Sequence, residues 1–273
     1  MYSLPSSRPV FTILTALTEG HAGLHYGPDE QELYLERVAG RATEVGFTSL
    51  LDYYYYLKYD PAGPAELDRL IDALVVNETF FFRELQPLKM LVKTLVAPMV
   101  VAGRRPKIWS AACSTGEEPL TLAMLLADAG LLDKVDLVAS DVSPRVLERA
   151  KNGRFGRRAL RDVPEPGLAQ RWLREEAGGL QVAKELREAI SWRRINLCKP
   201  AELPLPGSVD LVLCRNVLIY FTDQTAARVI ESLTEVLRPR GVLCVGISES
   251  LLRFGSSLVC EEIDRVFVYR RPA

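Results

Sequence analysis

"WSAACSTGEEPLTLAMLL", Trp109–Leu126, changes character twice within a few turns of chain. Its first residues, with the preceding "KI", read as a short buried strand. Small residues from Ala111 to Gly116 follow, and then Glu117 and Glu118 open a helix of apolar period. In an open α/β sheet the loop after the first strand can approach a ligand closely when its side chains are small. This loop has neither the lysine of a phosphate-binding loop nor the GxGxxG spacing of a dinucleotide fold, and its two carboxylates would repel phosphate and suit an ammonium group. A purely structural reading competes: Ser114 or Thr115 caps the helix, Glu117 or Glu118 closes a capping box, and Pro119 occupies the first turn.

Working outward, strands alternate with helices. "EPLTLAMLLADAG" is followed by strand "VDLVASD", helix "SPRVLERAK", strand "VDLVLCRNV", helix "QTAARVIESLTEVL", strand "GVLCVGIS" and a final "RVFVYRR". This pattern predicts a doubly wound, mainly parallel sheet. Upstream, from about Asp29 to Leu74, the period is helical throughout and predicts a small helical domain; "NETFFFRELQPLKMLVKTLVAPMV" reads as a further helix pair. The segment after Asn152 breaks the alternation. It holds a helix-like piece near Trp172, a Gly178-Gly179 turn and two strand candidates, "LQVA" and "ISWRRINL", and reads as an insertion carrying a small antiparallel sheet. Four successive tyrosines, Tyr53 to Tyr56, point all round a helix, so some pack inside and others face out.

The chain's 273 residues, 48% hydrophobic and 25% charged, suffice for an α/β core and one small extra domain. A net charge of -1 favours neither nucleic acid nor an anionic membrane. Cys113, Cys198, Cys214, Cys244 and Cys260 are scattered and lack a CxxC pair, and there are two histidines, so neither a metal site nor a disulfide framework is expected. No stretch has the length of a membrane span or the pattern of a leader, and the expected location is the cytoplasm.

Two further constellations carry chemistry. Asp141 ends the strand "VDLVAS", where an acid in a nucleoside-binding sheet accepts the ribose hydroxyls; its rival role is a turn or cap before "SPRVLERA", shared with Ser143. Arg215, Asn216 and Tyr220 follow the buried strand "VDLVLC" at its carboxyl end and would line the cleft. In "NETFFFRE" the aromatics read as core or cleft wall, and Asn77, Thr79 and Arg83 can reach over a ligand. A small-residue loop with one acid at a helix start and another at a strand end suits a nucleoside bearing a positive group, S-adenosylmethionine rather than NAD.

Taken together, "NETFFFRE", "WSAACSTGEEP", "SDVSPRVLERAKNGRF", "LCRNVLIYF" and "RPRGVLCVGISES", in order and at suitable spacing, closely resemble the chemotaxis receptor glutamate O-methyltransferases, the CheR family. The resemblance implies a helical N-terminal domain and linker over 1–88. It implies a Rossmann-like S-adenosylmethionine-dependent methyltransferase domain over 89–273, with an inserted antiparallel β-subdomain at about 153–197. It implies cofactor contacts from Asn77, Thr79, Arg83 and Ala111, Glu117 on the methionine amino group, Asp141 on the ribose, Asn196 and Leu197 beside the adenine, and Arg215 and Asn216 near the reacting methyl. Arg83, Arg215 and Tyr220 are the expected catalytic set, with an arginine orienting the acceptor carboxylate. The products would be glutamate methyl esters on methyl-accepting receptor helices and S-adenosylhomocysteine. No general base is needed, because a glutamate with a pKa of ~4.3 is already ionised at neutral pH.

Two departures from the family pattern stand out. "DEQELYLERVAGRATEV" is acid-rich where well-studied relatives have a basic receptor-facing helix, and "REEAGGLQV" is short, which resembles the members that bind receptors without a C-terminal tether. An inactive adaptor of the same fold is the alternative from another class; a nucleotide-sugar or NAD oxidoreductase conflicts with the missing GxGxxG.

Overall fold

The computed structural model describes residues 7–161, 163–176 and 178–273. The first six residues of the helical region expected over 1–88, and Asp162 and Ala177 of the expected insertion, lie outside the described residues. The chain divides into two compact units, one of residues 1–76 with 220–225 and one of residues 77–219 with 226–273.

The first unit contains α1 (Arg8–Ala22), α2 (Gln31–Val45), α3 (Leu50–Tyr59) and α4 (Gly63–Leu74). Their apolar faces meet in a core of Leu14, Tyr34, Val38, Tyr53, Leu70 and Leu74, all fully buried. Tyr53 and Tyr54 of the tyrosine run are buried and Tyr55 is half exposed, as an all-round distribution requires. Helix α1 has no counterpart in the sequence reading. Its signals, Ser7-Arg8-Pro9 at the start and Gly23 in the left-handed conformation at the end, are ordinary helix punctuation.

The second unit opens with a helical rod rather than two helices. It consists of α5 (Leu85–Met90), a π-helical turn over Leu91–Val96, and α6 (Ala97–Val101). The residues Asn77–Glu84 before it are irregular. Then come β1 (Lys107–Ala111), α7 (Glu117–Asp128), β2 (Asp136–Asp141), α8 (Pro144–Asn152), β3 (Arg154–Gly156), α9 (Pro166–Trp172), β4 (Leu173–Glu176), β5 (Gly179–Val182), α10 (Lys184–Glu188), β6 (Ile190–Arg194), β7 (Val209–Leu213), α11 (Asp223–Val236, whose residues to Thr225 group with the first unit), β8 (Leu237–Cys244), β9 (Val259–Ile263) and β10 (Val266–Arg270).

The main sheet has the order β6-β2-β1-β7-β8-β10-β9. Strands β6 to β8 are parallel, while β10 runs antiparallel to β8 and to β9. Because β1 pairs with β2 on one side and β7 on the other, the strand order switches direction there, and ligands bind beyond the carboxyl ends of strands at such a crevice. The expected doubly wound sheet and small antiparallel sheet are both present, the latter as β3-β5-β4. One strand moved. "ISWRR" does not belong to the small sheet but lies along β2 as an edge of the main one, Leu137 opposite Ile190 through Asp141 opposite Arg194. The β9–β10 hairpin also adds a strand that the alternation of apolar runs does not reveal.

Candidate functional site

Ala111 closes β1 opposite Ser140. The chain then turns through Ala112 and Ser114 at φ of +56° and +50° and through Gly116 at +94°. A Cβ at Gly116 would lie 2.6 Å from the Ala150 Cβ, so α7 can start this close to α8 only from a glycine. Gly116 is itself the capping position of α7, without any side-chain cap, and the expected Ser114 or Thr115 cap is not formed. Freed from capping, the Thr115 hydroxyl donates to Glu117 Oε2 at 2.6 Å.

Asp141 performs the turn role at the end of β2. Its Oδ2 accepts the Ser114 N–H (2.8 Å) and its Oδ1 the Ser143 N–H (3.0 Å), while Ser143 Oγ caps α8 by accepting from Val146 N–H (3.3 Å). One carboxylate thus ties the loop after β1 to the loop after β2. The Asp141 carbonyl accepts the Ile195 N–H at 3.1 Å, which brings Asn196 and Leu197, both buried, to the same strand end. Asn196 Oδ1 accepts the Cys198 N–H at 3.0 Å.

Glu117 and Glu118 are adjacent in sequence and opposite in circumstance. Glu118 accepts the Ser110 hydroxyl (2.7 Å) and pairs with Arg215 Nη1 (2.8 Å). Glu117 is 2% exposed and forms no salt bridge among the described residues. Burial pushes its carboxyl above the ordinary range, with the Thr115 hydroxyl, a backbone N–H and the more distant charge of Arg149 offsetting only part of the effect.

Arg215 is buried and committed. Besides Glu118 it pairs with Glu84 Oε2 (3.0 Å) and donates to the carbonyls of Arg83 (3.1 Å) and Glu84 (3.2 Å). Asn216, at φ +57°, donates from Nδ2 to Glu84 Oε1 (3.2 Å), and Ile247 N–H reaches Glu84 Oε2 (3.1 Å). Glu249 gathers the N–H groups of Asn216 (2.6 Å), Gly246 (2.8 Å) and Leu218 (2.9 Å). Glu84 and Glu118 hold the Arg215 guanidinium, Glu84 through Arg215, Asn216 and Ile247 joins the ends of β7 and β8 to the "NETFFFRE" block, and Glu249 ties those two ends to each other. Phe82, Glu84, Ala112, Ser114 and Asn216 all hold positive φ without being glycine. Each costs about 1–3 kcal/mol and persists where surrounding structure overdetermines it, which happens most often at functional sites.

Asn77 and Thr79 line a cavity of about 240 Å³ with Glu117 and the arginines of α8. Arg83 donates to the Glu78 carbonyl (2.8 Å) and lies 5.8 Å from the centre of the Phe80 ring. Tyr220 groups with the helical unit, where its carbonyl accepts the His25 N–H at 2.9 Å. The cysteines are free; Cys113, Cys214 and Cys244 are buried, and burial raises all three thiols, Cys244 to about 12, so none is a ready nucleophile.

Sequence reasoning brought Asn77, Thr79, Glu117, Asp141 and Asn196 to notice, read Glu118 as a cap or an ammonium-facing acid where the structure pairs it with Arg215, and assigned no role to Glu84 or Glu249. Glu84, Glu118 and Glu249 all lie inside or beside the quoted motifs. A carboxylate next to an arginine in sequence says nothing about which distant arginine it meets.

The residues suit S-adenosylmethionine on structural grounds. A buried carboxylate without a salt bridge among the described residues borders an open cavity and would be relieved by an ammonium group, and a second carboxylate, Asp141, ends the neighbouring strand, where an acid meets ribose hydroxyls in nucleoside-binding sheets. Sheet order, loop and acids together define a Rossmann-like methyltransferase. The sequence profile described as "CheR methyltransferase, SAM binding domain" matches residues 77–266, and that described as "CheR methyltransferase, all-alpha domain" matches residues 10–75. The chain is 32% identical over 255 residues to "Chemotaxis protein methyltransferase 2" of Vibrio cholerae, covering 92% of this chain and 88% of that one. It is 34% identical over 236 residues to "Chemotaxis protein methyltransferase 2" of Pseudomonas aeruginosa, covering 84% and 82%. It is 38% identical over 222 residues to the "Probable biofilm formation methyltransferase WspC" of the same organism, covering 80% of this chain and spanning about half, 52%, of that one. The chain belongs to the CheR methyltransferase family and uses S-adenosylmethionine as its methyl donor. Among the described residues no helix is long and apolar enough to cross a membrane.

Proposed function

We propose that the protein transfers the methyl group of S-adenosylmethionine to glutamate side chains of methyl-accepting chemotaxis-type receptors, without requiring a C-terminal receptor tether. The observation that carries the donor site is Glu117, a buried carboxylate held off its ordinary pKa beside an open cavity. Support for the acceptor comes from the relatives' names, two of which specify chemotaxis and one biofilm formation.

In this reading Glu117 holds the methionine amino group, Asp141 the ribose, and Asn196 and Leu197 the adenine side, with Ala111, Asn77 and Thr79 closing the cavity. The bound donor supplies a methyl on a sulfonium, a strong leaving group. The acceptor carboxylate arrives ionised, so the chain's task is alignment and exclusion of water rather than proton transfer. Arg83 is the arginine that orients the acceptor. Arg215 positions instead, because its terminal nitrogens are taken by Glu84, Glu118 and two carbonyls, and with Asn216 it fixes the loop after β7.

Calorimetric titration of S-adenosylmethionine and S-adenosylhomocysteine into wild type and Asp141→Ala tests the donor site. Binding that weakens strongly in the variant is expected, and absence of binding to wild type defeats the assignment. Radiolabelled methyl transfer to the signalling fragment of a chemoreceptor, with base-labile label as the mark of an ester, tests the acceptor.

A further inference from the structure

On α8 the cavity bordered by Glu117 has a larger neighbour of about 900 Å³, and Arg145 and Arg149 line both. Helix α8 buries Val146, Leu147 and Ala150 and turns Arg145, Glu148 and Arg149 outward. Beyond it, Arg154 of β3 and Arg174 of β4 both stand opposite Gln181 of β5. Residues paired across antiparallel strands share a face, so the two guanidiniums flank Gln181 on one side of the small sheet.

Seven Arg and Lys side chains line the larger cavity against three carboxylates, Glu148, Glu176 and Glu185. Arg171 among them is engaged by Asp128 and Lys184 by Glu188. Arg149, Arg154, Arg174 and Arg187 form no salt bridge among the described residues, and the first three are exposed. The chain as a whole carries -1, so this positive charge is a local arrangement and not the bulk balance. The methyl donor, with a sulfonium and an ammonium against one carboxylate, is itself cationic and gains nothing from it. The complementary anion must come from the other reactant.

Helix α2 offers no substitute. Arg37 is spent on the Leu74 carbonyl (2.7 Å), and Arg41 on both oxygens of Glu66.

We propose that the groove between α8 and the three-stranded sheet docks an acidic segment of the acceptor protein, one that carries further carboxylates beside the glutamate that is methylated. The proposal rests on the acceptor reading above: a segment whose glutamate reaches the methyl of the donor would lay its neighbouring carboxylates over Arg149, Arg154 and Arg174. A concave groove that shares Arg145 and Arg149 with the neighbouring cavity fits a polypeptide segment better than a flat lipid surface. Exposed charge pairs in a row speed association and are screened by salt.

The test is fluorescence anisotropy with a labelled helical peptide bearing glutamates at i, i+3 and i+4 spacings and with its all-glutamine counterpart. The titrations use wild type and Arg154→Glu/Arg174→Glu. The glutamate peptide should bind wild type with an affinity that falls as salt rises, and at least about tenfold more weakly in the double variant. S-adenosylhomocysteine affinity and melting temperature should be unchanged, because both arginines are exposed. No binding to wild type, equal affinity in wild type and variant, equal affinity for the glutamine peptide, or binding of phosphatidylserine vesicles in place of the peptide overturns the proposal. The peptide assay needs no turnover, so failure of docking and failure of receptor methylation are read separately.

Discussion

Glu66 in the helical unit and Glu117 in the sheet unit are each 2% exposed, and the molecule treats them in opposite ways. Glu66 receives Arg41 Nε and Nη2 on its two oxygens at 2.6 and 2.7 Å, and the Tyr53 hydroxyl at 2.8 Å. Burial pushes its carboxyl up, but the arginine and tyrosine outweigh that and hold it below the ordinary value. Glu117 has the Thr115 hydroxyl and no salt bridge among the described residues, and burial carries it above the ordinary value. Equal burial therefore does not mean equal purpose. A carboxylate whose charge is answered inside the protein is a staple, whereas one whose charge is left unanswered beside a cavity awaits a ligand.

The most severe way to break the comparison is Glu66→Ala, which strips Arg41 and Tyr53 of their shared acceptor. Removing one partner of a buried pair costs about 3 kcal/mol or more. Urea unfolding should register that loss while calorimetry finds S-adenosylhomocysteine affinity unaltered; a loss below about 1 kcal/mol would mean the staple contributes little. Next in size is Glu117→Gln, which keeps the shape and removes the charge. The apo protein should melt higher, and donor affinity should fall ~50-fold, the worth of a hydrogen bond to a charged group. If affinity holds, the ammonium lies elsewhere.

The two carboxylates also respond to pH with opposite sign. Glu66, its value lowered from 4.5, contributes stability that is present above 4.5 and lost as pH falls through the lowered value. Glu117, its value raised from 4.5, contributes stability that is complete below 4.5 and lost as pH rises through the raised value. Thermal melts across this range should show the gap between wild type and Glu66→Ala narrowing toward acid. The advantage of Glu117→Gln over wild type should widen toward neutrality. The smallest expected effect belongs to Glu249→Gln, which retains one acceptor oxygen for the N–H groups after β7 and β8. A stability loss of about 1 kcal/mol, with a few-fold drop in kcat and little change in donor affinity, would mark Glu249 as a positioning residue. An equal fall in donor affinity would place it at the donor instead.

Much of this was legible in the chain. The strand at Trp109, the small-residue loop, the helix from Glu117, the strand ending at Asp141 and the "CRN" that follows β7 are all local patterns. Side-chain periodicity and turn chemistry act over a few residues and survive in one dimension. "ISWRR" was legible as a strand but not as an edge of the main sheet, because an apolar-polar alternation names a face and not a partner. The rod from Leu85 to Val101 read as a helix pair, and the π-helical turn that joins its two α-helical pieces has no sequence mark of its own.

The sequence by itself determined where most of the strands and helices and the motif loops would form, α1 and β9 excepted, and through five motif blocks which family the chain resembles. Which charges answer one another was decided only in three dimensions. Arg41 meets Glu66 from 25 residues away, Arg215 meets Glu118 from 97 and Glu84 from 131. Coulomb attraction and desolvation depend on distance through space, and no periodicity along the chain records that. The same packing that closed those pairs left Glu117 without a salt bridge among the described residues.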